Sequence, residues 1–227
     1  MKEAAVTFVD ILGWKGIWQR EDNAVEKLLT LTSFVEEAIT KTAKEHDKFA
    51  HLESSLHTIS DTIVVITYGD FETSIELHAD LMAIVIKDSI LEEIPIRGAT
   101  GYGEVKSIGN ILIGPTIDGV AAWYEKSDLI GVFLTPSAQL RSKKANVQID
   151  FLIEYDVPIK QFGKFKTLCA NWVYGWKLYN EKKDLNNLID SFTNIGPITP
   201  EIAPKFYNTM DFYNYVCSKF DEEGNFR

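Results

Sequence analysis

The run Ala4-Ala5-Val6-Thr7-Phe8-Val9-Asp10-Ile11-Leu12-Gly13-Trp14-Lys15 is apolar except for one carboxylate near its end, and it then turns at a glycine. It reads as the strand around which the rest of the chain is organised. A strand that ends in Asp and turns at Gly sets a hard oxygen donor beside exposed backbone N–H groups. That layout suits a divalent cation together with the phosphates it carries. Alone, the pattern equally fits an aspartate that caps the following segment. A second apolar run with an acid at a turn, Leu56-His57-Thr58-Ile59-Ser60-Asp61-Thr62-Ile63-Val64-Val65-Ile66, tips the reading towards the cation.

The order of elements says where those acids go. Asn23 with Glu26 three residues later reads as a capping box that opens a helix to about His46, with Val25, Leu28, Leu31, Val35, Ala38 and Ile39 as its buried stripe. Strands at about Phe49 to Ser60 and Thr62 to Tyr68 form a hairpin bent at Ser60-Asp61. A Thr73 to Glu76 capping box opens a second helix to about Glu93, with Leu77, Leu81, Ile84 and Val85 inward. Pro95 stops it, and Ile96 to Val105 is a glycine-rich strand. Strand, helix, strand, strand, helix, strand is the split βαβ order of ferredoxin-like α+β sheets, in which the first strand lies beside the hairpin. Asp10 and Asp61 are therefore expected at one edge of the sheet, as a two-cation site needs.

Further on, Ile113-Gly114-Pro115 opens a helix to about Lys126, followed by a strand at Leu129 to Leu134 and a helix at about Pro136 to Lys143. Phe151 to Lys160 and Lys166 to Val173 read as a hairpin around Gln161-Phe162-Gly163-Lys164. The tail holds a segment from Asp184 to Phe192 and a helix from Thr199-Pro200 with Ile202, Phe206, Tyr213 and Val216 apolar. So many rings suggest docking on the domain or on a second subunit. The expected division is a domain over 1–175 and a C-terminal helical extension over 176–227.

Composition removes several function classes. With 45% hydrophobic and 25% charged residues the chain is ordinary globular material, large enough for a full core. A net charge of −10 argues against general binding to nucleic acid or anionic membranes, which need a basic face, but not against a small anion held by a local cation cluster. No apolar stretch approaches the roughly 18 residues of a membrane helix, and Met1-Lys2-Glu3 opens no signal peptide, so a cytoplasmic protein is expected. Cys169 and Cys217 lack metal-ligand spacing and read as reduced thiols.

Four stretches in order carry a family likeness: Phe8 to Trp14; Thr58-Ile59-Ser60-Asp61; Ile96-Arg97-Gly98-Ala99-Thr100-Gly101-Tyr102-Gly103-Glu104-Val105; and Gly114 to Glu125. In this register the chain, over about residues 5 to 173, resembles the class III nucleotidyl cyclase catalytic domain. Val9-Asp10-Ile11-Leu12-Gly13-Trp14-Lys15-Gly16 and the aromatic C-terminal segment look most like the bacterial pyrimidine cyclases of Pycsar antiphage defence. The resemblance implies a homodimer with sites at the subunit boundary, and a nucleoside triphosphate substrate, UTP foremost, converted to its 3′,5′-cyclic monophosphate and pyrophosphate. It also implies a separate effector protein that responds to the product. Asp10 and Asp61 would bind two Mg²⁺ or Mn²⁺ ions with the Ile11 carbonyl. The backbone of Leu12, Gly13 and Trp14 would cradle the outer phosphates, and Arg97 would anchor them. Lys160, or equally Lys164, matches the hairpin lysine.

Departures from the pattern matter as much. Where purine cyclases read the base, this chain has His57 and Ile111, which matches neither purine pattern. That is consistent with a pyrimidine and equally with relaxed specificity. Where the family supplies an Asn and an Arg to the transition state, Asp118 and Ala122 stand, leaving Lys126 or Arg97 as the replacement cation. The competing readings are an adenylate or guanylate cyclase, a catalytically silent nucleotide-binding or dimerisation module, and a diguanylate-cyclase or polymerase-palm relative. Plain readings also stand: Arg97 in a surface ion pair, His57 as a core histidine, His46, His51 and His78 as structural or solvated, and Trp14 and Trp123 as packing residues.

Overall fold

The computed structural model describes residues 1–14, 23–109, 111–146, 148–149, 151–179, 185–195 and 197–220. Lys15, Gly16 and Asp184, which the sequence reading includes, lie outside the described residues.

β1 (Lys2–Ile11), α1 (Ala24–Glu45), β2 (Glu53–Ile59), β3 (Thr62–Tyr68), α2 (Phe71–Leu91) and β4 (Ile96–Ile108) follow the split βαβ order. β1 lies between β3 and β4, antiparallel to both, with β2 outside β3. From Ala4 onward every residue of β1 is buried, because its apolar side chains fill both faces and both must be covered. α2 covers one face. There Thr7 hydrogen-bonds His78 Nδ1 at 2.7 Å, and His78 Nε2 meets Thr67 Oγ1 at 2.9 Å. Burial holds His78 well below its ordinary range, at about 3, so it is neutral and structural. Phe8 points to the opposite face and packs edge-on against Tyr124, with centroids 5.5 Å apart.

Two helix starts differ from expectation. Asn23 stands at the N-cap of α1 but makes no side-chain cap bond, and Val25 is 49% exposed; the buried stripe is Ala24, Leu31, Val35, Ala38 and Thr42, with Leu28 and Ile39 partly buried. α2 is capped one turn earlier than the Thr73–Glu76 box, by Asp70, whose Oδ1 accepts the Thr73 N–H at 3.0 Å.

The second half adds β5 (Ile111–Ile113), α3 (Pro115–Trp123), β6 (Gly131–Leu134), α4 (Pro136–Ala145), β7 (Leu152–Ile159) and β8 (Gly163–Ala170). The sheet runs β2-β3-β1-β4-β6-β8-β7, with β5 paired to β4; β4 and β6 are its parallel neighbours. The strand expected through Val173 stops at Ala170. Asn171 Oδ1 accepts the Tyr174 N–H at 3.2 Å and starts α5 (Trp172–Tyr179), whose Trp172 and Trp176, one turn apart, are fully buried. The aromatic and β-branched pair Trp172-Val173 suits a strand equally well, which is why the sequence pattern extends it there.

α6 (Leu185–Asn194) and α7 (Ala203–Cys217) complete the fold. Phe192 and Phe206 stack at 4.5 Å, while Phe206, Tyr213 and Val216 are buried in the same core as the sheet. The Tyr215 hydroxyl donates to the Glu154 carbonyl on β7 at 3.0 Å, and the Ile130 N–H donates to Thr209 Oγ1 at 2.9 Å. Cys169 is buried with its thiol pKa pushed up by burial, and Cys217 is partly buried. No described helix is long and apolar enough to cross a membrane.

Candidate active site

Asp10 sits in register with Thr62 on one neighbouring strand and Arg97 on the other. Thr62 follows Asp61, so the hairpin turn brings the second acid within hydrogen-bonding reach of the first. Ser60, in that two-residue turn, has φ 58°, a left-handed conformation that a residue with a side chain adopts at a cost. Arg97 donates through Nε and Nη2 to the same Asp10 oxygen, Oδ2, at 3.1 and 2.9 Å. Burial first, with neighbouring Asp61 adding to it, pushes the Asp10 pKa up to about 6 against the pull of Arg97. Two acids therefore meet where one guanidinium bonds to only the first of them, a surplus of negative charge that another cation would satisfy.

Arg97 is also tied to the end of α3, where Nη1 donates to the Glu125 carbonyl at 3.0 Å. Lys160, in the β7–β8 turn, donates to that carbonyl at 2.8 Å. Lys164 stands on β8, exposed, so between the two hairpin lysines it is Lys160 that joins Arg97. Lys126 differs from expectation: α3 ends at Trp123, so Lys126 occupies the following turn, exposed, its carbonyl accepting the Lys160 N–H at 2.8 Å. Asp118 and Ala122 lie on the exposed side of α3.

A cavity of about 550 Å³ opens beside this group, lined by Ile11, Leu12 and Gly13 at the end of β1 and by Arg97 and Lys160. Gly13 adopts φ +81°, which a side chain would strain, and space for a Cβ is open. The Leu12 N–H donates to the Pro95 carbonyl at 2.8 Å. Leu12 thus lines the cavity while its amide is already engaged, which corrects its expected part in a phosphate cradle. Trp14 is 7% exposed and belongs to the hydrophobic core rather than the cavity wall. His57 is in register with Val64, itself in register with Phe8, so it shares the face that carries Asp10. It stands on β2, beyond β3, with Nε2 3.3 Å from Ser55 Oγ.

Two basic residues of the cavity escaped the sequence reading: Lys27, half-buried on α1, and Lys205 on α7. Lys205 had a signal. It shares the buried side of α7 with Phe206, Phe212, Tyr213 and Val216, and a lysine on the buried side of an amphipathic helix asks for a reason.

Among the described residues, no group of three or more His, Cys, Asp or Glu side chains is placed to hold a metal ion. The donors at the end of β1 are two carboxylates, with the Ile11 carbonyl following Asp10. That set fits Mg²⁺ or Mn²⁺ in the manner of sites where one or two carboxylates share the ion with a substrate's phosphates.

No protein-family model matches the sequence, and no curated protein matches it. Solved structures do. An adenylate cyclase from Trypanosoma brucei, solved in its monomeric state, superposes with a TM-score of 0.50 at 11% identity, over 76% of this chain and 90% of that one. A bacterial light-regulated adenylyl cyclase gives 0.48 at 12% identity over 86% and 98%. An adenylate/guanylate cyclase/hydrolase from Silicibacter pomeroyi gives 0.48 at 10% identity over 74% and 96%. The fold is that of class III nucleotidyl cyclase catalytic domains.

Proposed function

We propose that the chain is a nucleotidyl cyclase, acting on a nucleoside triphosphate at the end of β1. The observation that carries this is the meeting of Asp10 and Asp61, 51 positions apart in sequence, beside a cavity that holds Arg97 and Lys160. In the reaction the ribose 3′-hydroxyl loses its proton to solvent and its oxygen bonds to the α-phosphorus, the bond from that phosphorus to the α–β bridging oxygen breaks, and pyrophosphate leaves. Divalent cations bound to the two aspartates would favour the 3′-alkoxide and offset charge on the leaving group. Arg97 and Lys160 now donate to protein oxygens, and a polyphosphate competes for the same donors with stronger, charge-assisted bonds.

Catalysis also needs a cation for the transition state, and the exposed side of α3 offers Asp118 and Ala122 there. We assign the duty to Lys126, at a subunit boundary. Ile108, Ile111 and Ile113 on the β4–β5 hairpin are 55, 60 and 48% exposed, an apolar surface that supports pairing of two copies. His57 and Ile111, at the base-reading positions, match neither purine pattern and support a pyrimidine substrate, UTP foremost, with the product read by a separate effector in antiphage defence. A silent nucleotide-binding module is the second reading, favoured by the same α3 positions. Incubation with Mn²⁺ and each of the four ribonucleoside triphosphates, with products identified by mass, decides. One cyclic pyrimidine is expected; cyclic purines reassign the substrate, and binding without turnover selects the silent module.

A further inference from the structure

The cavity at the end of β1 is walled on its far side by the C-terminal extension: Ile195, Pro197, Thr199, Glu201, Ile202 and the start of α7. α7 is not a loose cover. Besides the bonds from Ile130 and Tyr215, the Asn208 side-chain amide donates to the Asp128 carbonyl at 2.8 Å. These contacts fix the rotation of α7, so Lys205, only 8% exposed, is directed into the cavity wall by the fold. Its ammonium donates to the Glu201 carbonyl and lies 3.5 Å from Asp128 Oδ1, a long contact for an ion pair.

We propose that Lys205 is a polyphosphate-binding residue, through which the C-terminal extension completes the phosphate subsite of the nucleotide site. The ligand identity rests on the cyclase reading given above. In a chain of net charge −10, this one cavity gathers Lys27, Arg97, Lys160 and Lys205 against Glu93 and Glu201. Burial and the nearby charges of Arg97 and Lys205 hold Lys160 below its ordinary range, as crowded cations do before an anion arrives. A polyanion relieves that crowding, and a buried ammonium gives it a stronger bond than a solvated lysine could. Helix α7 therefore does two jobs: its apolar stripe closes the core, and the one cation in that stripe faces the ligand.

The test titrates the full-length chain with inorganic tripolyphosphate by calorimetry in Mg²⁺ buffer. Lys205→Met, which keeps the buried stem, is expected to weaken binding about tenfold or more, and Lys205→Arg to restore most of it. Asp128→Asn leaves Lys205 charged without its carboxylate neighbour and is expected to tighten binding; it decides alone if Lys205→Met fails to fold. The proposal is overturned if the wild type does not bind tripolyphosphate, if folded Lys205→Met binds as well as the wild type, or if Asp128→Asn binds no more tightly. Turnover assays on the same variants separate the two ideas. A wild type that cyclises no nucleotide yet binds tripolyphosphate through Lys205 sinks the cyclase reading alone, while cyclisation with binding indifferent to Lys205 sinks this inference alone.

Discussion

Two buried polar clusters are built on β1 three residues apart, and they differ in how completely they are closed. On the α2 face, hydroxyls and one imidazole form a chain from Ser54 through Thr67, His78 and Thr7 to Thr100, crossing β2, β3, β1 and β4. Every link is 2.7 to 2.9 Å, both imidazole nitrogens are used, and burial keeps the histidine uncharged. On the opposite face, Asp10 accepts from Arg97 and meets Asp61 beside an open cavity, and the Asp10 pKa sits at about 6. A closed, neutral network has nothing left to offer a ligand. A charged cluster that its own protein leaves short of a counter-ion does, and this is what separates a structural polar core from a site.

The sharpest way to break that contrast is to remove the charge. Asp10→Asn or Asp61→Asn should reduce turnover by at least about a hundredfold, the scale of losing a group on which charge stabilisation depends, while the chain stays folded. Cyclic product measured by mass and a thermal melt check both halves; near-normal turnover in either variant removes that residue from the chemistry. His78→Leu should do the reverse. It takes a partner from Thr7 and Thr67, each of which keeps one other, so destabilisation of about 1–3 kcal/mol is expected with kcat unchanged below the melting range. Arg97→Lys comes next. A lysine cannot serve Asp10 and the Glu125 carbonyl through one planar fork, so KM for the nucleotide should rise about tenfold with a smaller fall in kcat.

The two clusters also differ in how they announce themselves in sequence. The βαββαβ order was readable from periodicity and turn residues, and it implied that β1 lies beside the β2–β3 hairpin, hence that Asp10 and Asp61 meet. What the order could not carry was the partner set. Glu125 enters through its backbone carbonyl, to which any residue type gives the same atom. α5 looked like strand because aromatic and β-branched residues suit both states until Asn171 caps the turn. Lys205 is 195 positions from Asp10, and only packing of α7 on the sheet brings its cavity wall to the site. His78 read as a plain structural or solvated histidine; its role depends on three threonines from three different strands.

The smallest expected effect tests the contrast through pH, in chelator so that no cation titrates Asp10. The folded pKa of Asp10, about 6, lies above its unfolded value of 3.8, so its contribution is fully present below 3.8 and is lost as pH rises through about 6. His78 has the opposite sign. Its folded pKa, about 3, lies below 6.5, so its contribution is present above 6.5 and is lost as pH falls towards 3. Between 3.8 and 6 the two slopes oppose each other, each at most about 1.4 kcal/mol per pH unit. The wild type should therefore show a shallow net dependence from this pair. Denaturant melts across that window should find Asp10→Asn losing stability more steeply on acidification and His78→Leu gaining it relative to the wild type. Should Asp10→Asn follow the wild-type slope, the carboxylate is not held in the charge-starved state that distinguishes its face of β1 from the other.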